Sequence, residues 1–91
     1  MGKVQSISVY QTIKDNPKLA GFDLWWAAYP KKLAKGDAVK AWQQTAKVRP
    51  SIEEMLGKLE SQRISDDWQR DSGQWIPYPA SYLRAWRFLD E

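Results

Sequence analysis

A helical pattern opens in residues 22–42, which read FDLWWAAYPKKLAKGDAVKAW. Four aromatic residues in the first half of this stretch are spaced i, i+3, i+4 and i+7, so they form one stripe along an α-helix. They are Phe22, Trp25, Trp26 and Tyr29. Pro30 disfavours helical geometry at the residue before it and lacks a backbone N–H, so the first helix is predicted to end there.

The second half of the same stretch predicts another helix. Asp37 is a residue type that caps helix N-termini, and four residues after it share one face. They are Ala38, Ala41, Trp42 and Thr45. Because alanines let two helices approach closely, this face is expected to pack on the aromatic stripe. The second helix is predicted to run to about Val48.

A third helix is indicated after Pro50. Ser51 followed by Glu54 is the pattern of a capping box, in which each residue bonds the backbone N–H of the other. Four apolar residues then follow at amphipathic spacing. They are Ile52, Met55, Leu56 and Leu59. The helix is predicted to end in the upper sixties, before a turn signal at Asp71-Ser72-Gly73.

The prolines near the C-terminus predict an extended connector and then a last helix. Residues 75–79 read WIPYP, and each proline biases its predecessor towards extended geometry. Pro79 also suits the first turn of a helix. The apolar stripe of that helix would consist of Tyr82, Leu83, Trp86 and Leu89. The helix is expected to end near the end of the sequence.

Together these patterns predict an all-α fold, a small four-helix domain over residues 21–91 with a Pro-rich extended connector before the last helix. Residues 1–20 show only weak alternation of apolar residues, and a flexible N-terminal arm is expected there. A chain of 91 residues has room for one such domain. The expected core consists of Trp25, Trp26, Tyr29, Trp42, Leu56, Leu59, Leu83 and Trp86.

Composition excludes several classes of function. The sequence contains neither cysteine nor histidine, so disulfides, thiol nucleophiles, imidazole bases and most transition-metal sites are excluded. It also has no glycine-rich phosphate loop. We therefore expect a non-enzyme without cofactor or small-molecule substrate. No signal peptide or membrane span is evident, and a cytoplasmic location is expected.

The main electrostatic feature is a basic segment at residues 31–49. Six lysine or arginine residues and a single aspartate, Asp37, give this segment a net charge of +5. The cations are Lys31, Lys32, Lys35, Lys40, Lys47 and Arg49. Such residues can neutralise phosphates, which predicts salt-sensitive binding of nucleic acid without sequence preference. A solvated helix face is the alternative.

A second candidate surface combines aromatic rings with arginines near the C-terminus. Its members are Trp75, Tyr78, Arg84 and Arg87. Tryptophan, tyrosine and arginine are common anchors of protein interfaces, and exposed rings beside arginines also stack on single-stranded bases. Trp75 and Tyr78 lie in the connector and are expected at the surface, whereas Tyr82 and Trp86 lie on the apolar stripe and are expected in the core.

Two stretches of the sequence resemble a known family. One runs from Phe22 through Tyr29-Pro30-Lys31-Lys32 to Trp42, and the other reads Ile76-Pro77-Tyr78-Pro79-Ala80-Ser81-Tyr82-Leu83 and continues to Glu91. Together they resemble the C-terminal domain of bacteriophage and prophage replication-initiation proteins. Tyr82 and Phe88 stand where that family usually has tryptophan, and Arg84 stands where it has asparagine.

This resemblance implies a role near phage or prophage DNA replication, in the cytoplasm of a bacterial host. With the basic segment, it favours a module that binds single- or double-stranded DNA weakly and without sequence preference. The alternative is a protein-interaction module that recruits the host replicative helicase or its loader. A prophage remnant without a present partner is the third interpretation.

Overall fold

The computed structural model describes residues 19–90, which form helices joined by turns and one extended segment. The α-helices are α1 (Phe22–Ala28), α2 (Lys35–Gln44), α3 (Ile52–Arg63), α4 (Asp66–Gln69) and α5 (Pro79–Arg84). A single turn of 3-10 helix spans Arg87–Leu89, and residues 70–73 form a tight turn. No strand occurs within these residues, so the predicted all-α class is confirmed, with α4 as an addition to the four predicted helices.

The predicted N-terminal arm falls almost wholly outside the described residues. Residues 1–18 are not part of the description, and the prediction of a flexible segment concerns mainly them. Leu19, near the end of the predicted arm, is fully buried in the core. The packed domain therefore includes Leu19.

Helix α1 has the predicted aromatic face. Phe22 and Trp25 are buried, Trp26 is half-buried, and Tyr29, which follows the helix, is buried. Gly21 precedes the helix with a left-handed φ of 85°. A Cβ atom at Gly21 would lie 3.3 Å from Cδ1 of Ile52, so glycine permits the close approach of α1 and α3.

Helix α2 differs from its prediction at both ends. It begins at Lys35 after Ala34, which has a left-handed φ of 54°, and Asp37 lies inside the helix instead of capping it. It ends at Gln44, not near Val48, because side chains satisfy its last carbonyls. The Thr45 hydroxyl donates to the Ala41 carbonyl (2.9 Å), and that bond lets the chain leave the helix in a tight turn. The predicted inner face of Ala38, Ala41, Trp42 and Thr45 is confirmed as buried.

Helix α3 has the predicted capping box between Ser51 and Glu54. Met55 and Leu59 are buried, while Ile52 and Leu56 are half-buried. The predicted end in the upper sixties is wrong, because the helix stops at Arg63. Ser65 accepts a hydrogen bond from the backbone N–H of Trp68 and starts α4 in a new direction, which places Trp68 in the core.

The C-terminal part confirms the connector and corrects the last helix. Residues 76–78 lie outside the helices, Tyr78 has an extended backbone, and Pro79 is the first residue of α5. The helix ends at Arg84, and Trp86 adopts a left-handed φ of 57°. This conformation interrupts the helical period, so Phe88 is buried, whereas Trp86 and Leu89 are exposed. The prediction that Trp86 lies in the core is therefore wrong.

The core is dominated by aromatic rings. The ring centroid of Trp25 lies 4.8 Å from that of Tyr29, 5.5 Å from that of Trp42 and 5.7 Å from that of Tyr82. Helix α5 packs along α2, and α1 packs on α3. Of the predicted core, five residues are buried: Trp25, Tyr29, Trp42, Leu59 and Leu83. Across residues 19–90, no helix has both the length and the apolar character needed to cross a membrane.

Candidate nucleic-acid interface

The loop between α1 and α2 presents three predicted phosphate ligands. Lys32 donates through Nζ to the Tyr29 carbonyl (2.7 Å), so its charge lies at the end of α1. A cation there also interacts favourably with the negative end of the helix dipole. Lys35 begins α2, and its Nζ lies 5.6 Å from the centroid of the half-buried Trp26 ring. The loop is thus anchored at both of its ends.

Lys31 joins this loop to the aromatic connector. Its Nζ lies 5.6 Å from the centroid of the Tyr78 ring and donates to the carbonyl of Gln74 (3.3 Å). The connector is also held from inside, because the Tyr29 hydroxyl donates to the Pro77 carbonyl (2.7 Å). Two segments that are distant in sequence therefore meet at one place on the surface.

The connector exposes two aromatic rings. Trp75 is 55% exposed and Tyr78 is 52% exposed. The indole Nε1 of Trp75 donates to Oδ2 of Asp71 (2.6 Å), and Cζ of Arg70 lies 5.9 Å from a ring centroid of Trp75. Both rings are therefore positioned by neighbours while much of their surface remains open to solvent.

The turn before Trp75 holds its partners in place. Asp71, Ser72 and Gly73 have left-handed φ angles of 52°, 59° and 83°. Consecutive left-handed residues are unfavourable for side chains other than that of glycine, so surrounding contacts must hold this turn. The bond from Trp75 to Asp71 is one such contact, and it explains how the predicted turn sets the position of the ring.

We call the set formed by Lys31, Lys32, Lys35, Trp75 and Tyr78 the loop–connector surface. It unites members of both predicted surfaces. The remaining lysines, Lys40 and Lys47, are exposed on or just beyond α2. Lys40 lies about 140° around the α2 axis from Lys35, at ~100° per residue, and thus faces a different direction.

Arg49 is half-buried and bonded within the domain. Its Nη2 donates to the Trp42 carbonyl (2.9 Å), its Nε donates to the Thr45 hydroxyl (3.2 Å), and its guanidinium lies 3.6 Å from a ring centroid of Trp42. Burial lowers the pKa of Arg49 to about 10, which still leaves it charged at neutral pH. Arg49 thus stabilises the end of α2, and its role as a nucleic-acid contact stays a prediction.

Arg84 is also engaged within the domain. Its guanidinium donates to both carboxylate oxygens of Asp37 (2.9 and 3.2 Å) and to the side-chain amide of Gln44 (3.0 Å). The hydrogen bond from Arg84 lowers the pKa of Asp37, and the same bond raises the pKa of Arg84. The one carboxylate of the basic segment is thus paired, and Arg84 joins α5 to α2.

Arg87 belongs to a different part of the surface. It forms an ion pair with Asp90 (2.5 Å), and its backbone carbonyl accepts from the side chain of Gln62 (3.0 Å). No contact joins it to Trp75 or Tyr78. The four predicted partner-binding residues therefore do not form one patch. The connector supplies Trp75 and Tyr78, whereas Arg84 is the last residue of α5 and Arg87 begins the 3-10 turn after it.

Two residues near this surface were not predicted to take part. Arg70 and the half-buried Trp26 both lie beside its members. Arg70 immediately precedes the Asp71-Ser72-Gly73 turn and is therefore near Trp75 in the sequence. This closeness is the only feature of the sequence that could have identified Arg70. In the part of the chain that the structure describes, no three acidic side chains form a group that could hold a metal ion.

Comparison with known proteins identifies a family. No curated protein and no solved structure matches the chain. Residues 17–85, well over half of the sequence, match the family model described as the Legionella vir region protein LvrA C-terminal domain. The resemblance to a small C-terminal domain is confirmed at that level, while the link to phage replication initiation stays a prediction. The chain belongs to the LvrA C-terminal domain family.

Proposed function

We propose that this domain is a non-enzymatic module of the bacterial cytoplasm that binds nucleic acid weakly and without sequence preference. The observation that supports this function is the contact of Lys31 with Gln74 and Tyr78, which joins the basic loop to the exposed aromatic connector. Lysines and aromatic rings on one surface match the two chemical features of a nucleic-acid strand, its phosphates and its bases.

Charge supports the same proposal. Lys31, Lys32 and Lys35 lie close together in the sequence, in or next to the α1–α2 loop, and the single carboxylate of the basic segment is paired with Arg84. Phosphates approaching the loop therefore meet lysines without an opposing free carboxylate from this segment. Each phosphate neutralised releases counterions, so the affinity should fall steeply with salt concentration.

A titration of labelled oligonucleotides by fluorescence anisotropy tests the proposal. Single strands and duplexes are titrated at about 50 and 200 mM salt, a range over which counterion release changes affinity strongly. The variant Lys31→Gln/Lys32→Gln should bind more weakly at the lower salt concentration. Its slope of log affinity against log salt should be shallower by about one for each lysine removed.

The matched control is Lys58→Gln/Arg63→Gln. It removes the same number of positive charges from α3, and Lys58 contacts the Asp90 carbonyl instead of the loop. This control should bind like the wild type. Equal binding by the two double variants would mean that net charge alone matters, and it would contradict the role of the loop.

The biological setting that we propose is the DNA replication of a phage or prophage. It rests on the resemblance of the Tyr-Pro-Lys-Lys and Pro-Tyr-Pro-Ala-Ser stretches to replication-initiation proteins. Weak, non-specific affinity would suit an accessory module that holds a larger assembly near DNA.

A second candidate function is recruitment of the host replicative helicase or its loader. The observation that favours it is the exposure of Trp86 and Leu89. Leu89 also lines an open cleft of about 490 Å³, together with Pro50, Gly57 and Phe88. Exposed tryptophan is a frequent anchor of protein interfaces. Absence of nucleic-acid binding at about 50 mM salt would favour this function, or a prophage remnant, over the first.

A further inference from the structure

We infer that the loop–connector surface is selective for single-stranded nucleic acid, with bases stacked on Trp75 and Tyr78 and phosphates bound by Lys31 and its neighbours. This inference rests on the proposed function, and it specifies the class of strand. Its basis is the geometry of the two rings and of the cations beside them.

The two rings are exposed but not free to collapse onto the domain. Trp75 is held by its edge, since the indole Nε1 bonds to Asp71 (2.6 Å). Tyr78 is followed by Pro79, whose ring restricts its backbone, and Tyr78 directly precedes α5. Rings positioned in advance lose little conformational entropy when a base stacks on them.

Most other aromatic side chains of the described residues lie in the core. Phe22, Trp25, Tyr29, Trp42, Trp68, Tyr82 and Phe88 are buried. Trp75, Tyr78 and Trp86 are the large exposed rings of residues 19–90. Two of these three follow each other along the same short connector, and both have a cation beside them.

The cations lie at distances that leave them available to phosphate. Lys31 Nζ is 5.6 Å from the ring centroid of Tyr78, and the Arg70 guanidinium is 5.9 Å from that of Trp75. These distances are near the outer limit of a cation–π contact. A base that stacks on Tyr78 therefore places its own phosphate within reach of Lys31.

Acidic and basic side chains lie at opposite ends of this surface. Asp71 bonds to Trp75, and Asp67 lies 3.8 Å from Arg70, so carboxylates gather on the Trp75 side. Lysines gather on the side of Tyr78 and the α1–α2 loop. The phosphates of a bound strand are expected over the loop, with Trp75 stacking on a base at the far end.

This arrangement discriminates against duplexes. In a duplex the faces of the bases are covered by their neighbours, so only the phosphates would contact the surface. A single strand can use the lysines and both rings, because each unpaired base has a free face. Stacking of this kind tolerates any sequence, which is consistent with binding that has no sequence preference.

The experiment compares labelled oligo(dT), oligo(U) and a duplex in anisotropy titrations at about 50 mM salt. Wild-type protein should bind both single strands more tightly than the duplex. Trp75→Ala and Tyr78→Ala should each weaken single-strand binding at least about fivefold and leave duplex binding unchanged. Trp86→Ala, which removes an exposed ring elsewhere, is the matched control and should bind like the wild type.

A second readout separates stacking from misfolding. Stacking on Trp75 should quench tryptophan fluorescence as oligo(dT) is added, and Trp75→Phe should retain most of the affinity but lose most of the quenching. Equal affinity for single strands and duplexes, or unchanged single-strand binding by both alanine variants, would overturn this inference alone. Absence of binding to all three oligonucleotides would overturn the proposed function with it.

Discussion

Arg49 shows at the scale of one residue how a cation of the basic segment can stabilise the fold. Its guanidinium stacks on Trp42 and donates to the Trp42 carbonyl near the end of α2, which also accepts from the Thr45 hydroxyl. An arginine can do this because its planar group stacks and donates in several directions at once. The residue therefore stabilises the fold.

Replacing Arg49 by alanine should lower the free energy of unfolding by about 2 kcal/mol, since a charged hydrogen bond and a stacked contact are lost together. The measurement is urea unfolding followed by circular dichroism at pH 7. Lys47→Ala removes an exposed charge two residues away and should change the stability by less than about 0.5 kcal/mol. Equal effects of the two substitutions would contradict the structural role of Arg49.

At the scale of the elements, two glycines have opposite roles in α1 and α3. Gly21 turns the chain into α1 in a left-handed conformation and lies against Ile52 at the start of α3. Gly57 lies in the middle of α3, and a Cβ atom there would have no neighbour within 4 Å. The first glycine is required by geometry, whereas the second only weakens its helix.

Gly57→Ala should therefore raise the free energy of unfolding by about 0.5 to 1 kcal/mol, because alanine has the higher helix propensity. Gly21→Ala should lower it by more than about 1 kcal/mol, because alanine is strained at positive φ and Ile52 must move. Both are measured by denaturant unfolding. A destabilising Gly57→Ala would show that something covers that face of α3.

The boundaries of the elements mark the limit of what the sequence predicts. The spacing of Phe22, Trp25 and Tyr29 was enough to predict α1, because periodicity reports which face of a helix is buried. The ends of α2 and α3 were not predictable in this way, because Thr45 and Ser65 end or restart a helix through side-chain bonds to the backbone. In the sequence, Trp86 lies on a helical stripe. In the structure, the left-handed backbone conformation of Trp86 itself removes it from that stripe.

The candidate site was not fully predictable either, because it depends on contacts between residues that are far apart in the sequence. The sequence identified Lys31 and Tyr78 separately, each from its local composition. Their contact joins residues that are 47 positions apart, and only the packing of the connector against Tyr29 brings them together. The pairing of Asp37 with Arg84 is equally long-range, so the engagement of the Arg84 guanidinium by a carboxylate of α2 was not predictable either.

At the scale of the whole molecule, the aromatic core contains two phenols that link the helices. The Tyr29 hydroxyl donates to the Pro77 carbonyl, and the Tyr82 hydroxyl donates to the side chain of Gln62 (2.6 Å). Burial raises the pKa of Tyr29 and of Tyr82 above the ordinary value for tyrosine. The folded state thus keeps protons that the unfolded chain loses at alkaline pH.

Stability should therefore fall as the pH rises above about 10, the ordinary pKa of tyrosine. In that range the unfolded chain binds fewer protons than the folded chain at Tyr29 and Tyr82, so the free energy of unfolding decreases with pH. Arg49 acts in the opposite sense, because its pKa is lowered by folding, but two tyrosines oppose one arginine.

The measurement is the thermal midpoint at pH 8 to about 11, with phenolate absorbance recorded in parallel. Tyr29→Phe and Tyr82→Phe should each reduce the fall in midpoint with pH after correction for their stability at pH 7. The same fall with pH in the wild type and in both variants would contradict a role for these phenols.

The bond from Tyr29 to Pro77 has a consequence for the order in which the protein is made. Synthesis proceeds from the N-terminus, so the lysine-bearing loop leaves the ribosome well before the connector does. Until residues 74–78 have emerged and docked on Tyr29 and Lys31, the nascent chain lacks the assembled surface. The growing polypeptide is surrounded by ribosomal and messenger RNA. Its loop lysines are therefore exposed to RNA before Trp75 and Tyr78 are in their final positions.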